Sequence, residues 1–204
     1  MSKVKLSTEL LGRLESSLLT QDAPVVSRLN PGLSDSEIDE LSAQIGLHLP
    51  DEARLWWKWH DGASPLSDDP YGGNACTVGP QRRIWTLAET ITARADELEL
   101  AKEVEPDDPD YWWNPSWLPF TTAPTAVDCT PDDDGCCAVR NTDPMWDPND
   151  RGPQVAASIG ELVELWIYAL DNRIWRWDPS IGDRGGWFQD HDLVTPELRR
   201  TSQF

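Results

Sequence analysis

Leu6, Leu10, Leu11, Leu14 and Leu18 recur at helical spacing, which predicts an amphipathic helix over 5–19 that ends before Pro24. A second apolar stripe follows at Ile38, Leu41 and Ile45. Ser34 and Glu37 precede it at the spacing of a capping box, in which the hydroxyl accepts the third helical N–H and the carboxylate returns to the cap N–H. Gly46 suits the left-handed conformation that ends such a helix. Pro50 then restarts the chain, and Asp51 and Glu52 sit where a helix dipole favours negative charge. Leu55, Trp56 and Trp59 give this third helix an aromatic inner face that stops at Gly62.

Two further capping boxes, Thr86 to Glu89 and Ser158 to Glu161, introduce apolar runs at helical intervals. The first uses Leu87, Ile91, Ala95 and Leu98; the second uses Ile159, Leu162, Trp166 and Ala169. The texture between them is β-like: strands near Thr125–Cys129 and Cys136–Arg140 would meet across Asp134-Gly135. Near the end of the chain, "RIWRWDP" pairs with "GGWFQD" as a second predicted hairpin. Capped helices interleaved with hairpins make the expected class α+β.

The 204 residues fit one domain spanning 1–204, with a core over about 26–170, the N-terminal helix 5–19 and a C-terminal hairpin extension 171–190. Lys and Arg number 17 against 36 Asp and Glu, a net charge of −19. That charge repels phosphate backbones and anionic membrane surfaces, so direct nucleic-acid binding and membrane association are not expected, whereas a basic protein partner would be attracted. No leader-like segment and no stretch near the roughly 20 apolar residues of a membrane span is present, so the expected location is the cytoplasm.

Cys76, Cys129, Cys136 and Cys137 lack C-x-x-C spacing, and only His48, His60 and His191 could complete a metal site, so neither metal nor cofactor is expected. Free, half-buried thiols are the reading; the spacing leaves open whether Cys129 meets Cys136 or Cys137 across the turn. "TPDDDG" has part of a calcium loop. With Gly135 at the sixth position, however, Thr130 stands at the first ligand and Asn141 replaces the bidentate Glu, which makes it an ordinary turn. No nucleophile elbow, metalloprotease His pair or phosphate-cradling glycine loop occurs, and His60 beside Asp61 ends a helix, so catalysis is not expected.

The order of these signals resembles the SUKH superfamily, Smi/Knr type. Its N-terminal signature corresponds to Asn30-Pro31-Gly32, Ile38 with Leu41, Gly46 with Leu49-Pro50, and Trp56, Trp57 and Trp59 before Asp61-Gly62. Trp117 and Pro119 in "SWLPF", then "AVDCTPDDDG", then Ser158 in "AASIGELVELW", follow the same family order. The resemblance runs from about Val26 to Leu170 and implies an α+β fold with helices packed on one face of a mainly antiparallel sheet. The signature residues are expected to be structural, the tryptophans core or rim packing.

The resemblance also implies a binding protein: bacterial members are often immunity proteins that neutralise toxin domains, including nucleases and deaminases. The expected contact surface is the loop carrying Asp107, Asp108, Asp110, Trp112 and Trp113, joined by Asp132, Asp133 and Asp134 at the hairpin tip. The chain itself would be a monomer or weak homodimer. The alternatives are an intracellular regulatory or scaffold domain of the fungal wall-assembly type, or a glycan binder using "YWW" and "RIWRW".

Overall fold

The computed structural model describes residues 3–65, 74–80, 83–142, 152–182 and 184–201. Helices α1 (Thr8–Thr20), α2 (Asp35–Ala43), α3 (Asp51–Trp59), α4 (Leu87–Val104) and α5 (Pro109–Trp112) precede four strands: β1 (Trp117–Pro119), β2 (Thr125–Asp128), β3 (Val139–Asn141) and β4 (Gln154–Ala156). Helix α6 (Ile159–Asp171), strands β5 (Trp175–Asp178) and β6 (Gly186–Gln189), and α7 (Pro196–Thr201) complete the chain. The strands form an antiparallel sheet in the order β1-β2-β3-β4, with β5 and β6 as a separate antiparallel ribbon. The α+β class expected from the pattern is the one observed.

The local signals act as their chemistry demands. Both boxes at Ser34–Glu37 and Thr86–Glu89 close in both directions, and Gly46 takes φ +61° after α2. The Ser158–Glu161 box closes differently. Ser158 accepts the Glu161 N–H and donates its hydroxyl to the Val4 carbonyl, while the Glu161 carboxylate accepts the Ala157 N–H. Helix α1 begins at Thr8, with Ser7 as its cap; Leu6 remains in the extended lead-in.

The core is aromatic. Trp56 meets Phe120 and Trp166 edge-on, at centroid distances of 5.6 and 6.1 Å, and Leu11, Leu14, Leu18, Ile38 and Leu49 close around them. Trp57 is fully buried and donates its indole N–H to the Trp85 carbonyl; Trp59 is half-buried against Trp56. All four cysteines are free and buried, more deeply than the half-burial expected. Burial pushes the Cys137 thiol up to about 12, so it stays protonated.

One polar group joins distant parts of this core. Glu52, placed in the first turn of α3 by its favourable dipole position, is only 6 % exposed. Its carboxylate accepts three main-chain N–H groups: Leu6 at 2.9 Å and Gly160 at 3.0 Å on Oε1, and Cys137 at 2.7 Å on Oε2. The lead-in to α1, the start of α3, the first turn of α6 and the β2–β3 hairpin therefore converge on one side chain. Gly160 is required there, since a Cβ would lie 2.4 Å from the Lys5 carbonyl carbon. The hairpin tip closes as a tight turn near the expected Asp134-Gly135: the Gly135 N–H donates to the Asp132 carbonyl at 2.8 Å, the Asp132 N–H donates to the Cys136 carbonyl at 3.1 Å, and Gly135 takes φ +77°, while the Cys137 N–H beyond it turns toward Glu52.

Replacing Glu52 by Ala would leave three buried donors without an acceptor, each worth about 1–3 kcal/mol. Urea unfolding should show a loss of roughly 3 kcal/mol or more for Glu52→Ala, and a change under about 1 kcal/mol would refute this role for the carboxylate.

Candidate functional site

The signature loop positions α4. Asn30 donates from Nδ2 to the Asp61 carbonyl at 2.8 Å, its own N–H binds the Gly62 carbonyl, and the Pro31 carbonyl accepts the Asp61 N–H. Asp61 Oδ1 then accepts the Leu87 N–H at 2.7 Å, so the end of the signature caps the start of α4. Burial pushes the Asp61 carboxyl up, opposed by that N–H. Gly32 packs on the Lys58 carbonyl, while Leu41 is half-buried and Pro50 caps α3. Trp117 and Pro119 lie in β1, and Ser158 caps α6.

Helix α4 buries Leu87, Thr90, Arg94 and Ala101. The predicted stripe of Leu87, Ile91, Ala95 and Leu98 is rotated: Ala95 is exposed and Ile91 and Leu98 are half-buried. Arg94 supplies the reason, since its guanidinium turns inward and donates from both Nε and Nη2 to the Pro115 carbonyl at 3.1 and 2.6 Å. A buried arginine carries no apolar-pattern signal, so the sequence reading missed it.

Beside the first half of α4 lies a cleft of about 530 Å³, lined by Arg83, Trp85, Ala88, Glu89, Ala93 and Thr122 among others. Arg83 is 5 % exposed. Its guanidinium holds Glu89 at 2.7 Å and the Ala63 carbonyl at 3.2 Å, and Glu89 also accepts the Thr86 N–H at 2.9 Å. One carboxylate thus caps α4 and neutralises a buried cation. Burial alone would raise the Glu89 carboxyl, but the hydrogen bonds from Arg83 and Thr86 outweigh it and hold the group below its ordinary value.

Beyond the cleft the chain is strongly acidic. Eight of the residues 96–110 are Asp or Glu, against the single base Lys102. Burial, with the Asp96 charge beside it, raises the Glu97 carboxyl. Asp107, Asp108 and Asp110 are exposed where α4 passes into α5. Trp112 is half-buried, and Trp113 is 3 % exposed, edge-on to Trp117 at 5.8 Å. This corrects the expectation for Trp113: it anchors the loop from beneath and is not presented to a partner, because folding it back covers Ala101 and Ala126.

At the hairpin tip Asp133 and Asp134 are exposed. Asp132 is half-buried and occupied: it pairs with Lys3 and accepts the Asp134 and Cys136 N–H groups, contacts that hold its carboxyl below the ordinary range. Since Trp117 pairs with Asp128, the α5 loop entering β1 and the tip leaving β2 lie at the same end of the sheet. Among the described residues no tryptophan is exposed, no group of three metal-ligating side chains occurs, and no helix is long and apolar enough to cross a membrane.

Together these features define an α+β fold with a close-packed aromatic interior and one acidic helical side. A family model described as SMI1 / KNR4 family (SUKH-1) matches residues 32–164, well over half of the chain. The chain belongs to that family. No curated protein matches it.

The Arg83–Glu89 pair makes a pH prediction. A carboxyl held below its ordinary value of 4.5 in the fold stabilises fully above that value and less as pH falls through the lower folded one. Glu89→Gln should therefore cost about 1–2 kcal/mol at pH 7, discounted for the partial exposure of Glu89, and the gap from wild type should close toward pH 3. A gap that is constant across this range in thermal melts would contradict the assignment.

Proposed function

We propose that this protein is a non-catalytic protein-binding domain, an immunity protein that binds and neutralises a basic toxin domain of the nuclease or deaminase type. Membership of the SMI1 / KNR4 family supports a protein-binding role. The observation that carries the reading furthest is where the charge lies. The acidic α5 loop and the hairpin tip lie at the same end of the sheet, and residues 96–110 carry eight carboxylates against the single base Lys102. An electrostatic field of this sign speeds encounter with a basic partner and competes with nucleic acid for a nuclease's cationic surface. Asp107, Asp108, Asp110, Asp133 and Asp134 are the steering residues, Trp112 and Trp113 hold their loop, and Asp132 shapes the tip. The buried and half-buried indoles weigh against a glycan platform, which needs several exposed in a row.

The test is capture by the tagged protein at low and moderate salt, followed by association kinetics of the identified partner. Asp107→Asn, Asp108→Asn and Asp110→Asn together should slow association by roughly tenfold at low salt and flatten its salt dependence, leaving dissociation little changed. Capture of wall-synthesis enzymes in place of a basic toxin would instead establish the regulatory reading, and unaltered association kinetics would remove this loop from the interface.

A further inference from the structure

We propose that the outward side of α4 is a docking strip for a cationic amphipathic helix on the partner protein, a statement that rests on the protein-binding reading above and deepens it. Glu89, Ala93, Asp96, Leu100 and Glu103 recur at intervals of three and four residues, so the cleft beside Trp85 and the second half of α4 share one side of the helix. Leu100 and Val104, one turn apart, are 42 % and 46 % exposed. They form an aliphatic ridge that the described chain leaves nearly half exposed. The cleft supplies a recess at one end, and carboxylates border the ridge on both sides.

This arrangement works against the helix that carries it. Glu99 and Glu103 lie in the C-terminal part of α4 and Glu105 is its cap, where the helix dipole already leaves partial negative charge and only Lys102 compensates. Glu97 sits partly desolvated beside Asp96. A helix selected for its own stability would carry bases there. A ligand that brings cations to both edges of an aliphatic seam removes the repulsion and covers the ridge in one step. The geometry fits a helix with lysines or arginines flanking leucine-like residues. A second copy of this strip would bring two acidic faces together, and nucleic acid or an anionic membrane would meet charge of its own sign.

The experiment uses a fluorescein-labelled Lys/Leu amphipathic helical peptide and a scrambled peptide of the same composition, titrated into the full chain by anisotropy, with hydrogen exchange mapping the contact. The amphipathic peptide should bind roughly tenfold more tightly than the scrambled one, and protection should fall on 88–104. Leu100→Ser with Val104→Ser should abolish that preference with a chain that still folds, at a Tm lowered by no more than a few degrees, because both side chains are nearly half exposed; Ala93→Lys, at the cleft, should weaken binding of both peptides. Equal affinities, protection elsewhere, or a preference that survives the double substitution would overturn the strip. So would α4 protection that rises with protein concentration in the absence of peptide, which would indicate self-association. Failure of the wider reading is seen separately, since the peptide reports the strip alone. A double variant that still captures its cellular partner at wild-type strength would remove the strip and leave the protein-binding reading standing.

Discussion

A carboxylate buried without a cation is among the least favourable groups to place inside a protein, and the Glu52 side chain is tolerated because three main-chain N–H groups converge on it. Those donors lie 46, 85 and 108 positions away along the chain. A single side chain therefore fixes where the N-terminal segment, the hairpin and the first turn of α6 stand relative to α3. Other features follow from it. The Ser158 hydroxyl finds the Val4 carbonyl, Lys3 reaches Asp132, and α1 runs alongside α6 in the same direction, its far end tied by Ser17 to Asp171.

The aromatic interior complements this polar junction. Trp56, Phe120 and Trp166 fill the space between α3, β1 and α6, and Trp57 ties α3 to the segment entering α4. Helix α4 is held by the Asp61–Leu87 cap and the Arg83–Glu89 pair at its start, by Arg94 on the Pro115 carbonyl at its middle, and by the packing of α2, α5 and β1 along its inner side. Its outward side carries the exposed acidic and aliphatic residues, Asp96, Glu99, Leu100, Glu103 and Val104 among them. A well-packed scaffold with one electrostatically unfavourable helix is the division expected of a binding module, in which the interface departs from the local rules that the remainder obeys.

Legibility in the sequence followed the physics of each signal. Capping boxes, the Leu-Pro junction and both hairpins were readable because they are local: spacing alone determines which N–H a side chain can reach. The expected stripes of α1 and α6 match their buried residues, since purely apolar faces pack as their periodicity dictates. Glu52 and Arg94 were not legible. Both are charged residues on helices, and what draws them inward is a main-chain group far off in the sequence, Gly160 for one and Pro115 for the other. Trp113 failed as a surface residue for a related reason, since its companion Trp117 lies across the loop in β1. In the candidate site, the exposure of Asp107, Asp108, Asp110, Asp133 and Asp134 was readable from their acidic, proline-punctuated or glycine-turned settings. The Leu100–Val104 ridge was not, because two aliphatics at helical spacing normally signal burial.

The most direct measurement on this account is native-state hydrogen exchange at the Leu6, Cys137 and Gly160 amides. If the Glu52 carboxylate holds the lead-in, hairpin and α6 as one unit, the three should exchange through a common opening whose free energy equals that of global unfolding. Exchange of Leu6 or Cys137 through a separate, smaller opening, with Gly160 still protected, would show that these segments are held independently and would contradict the central role given to that side chain.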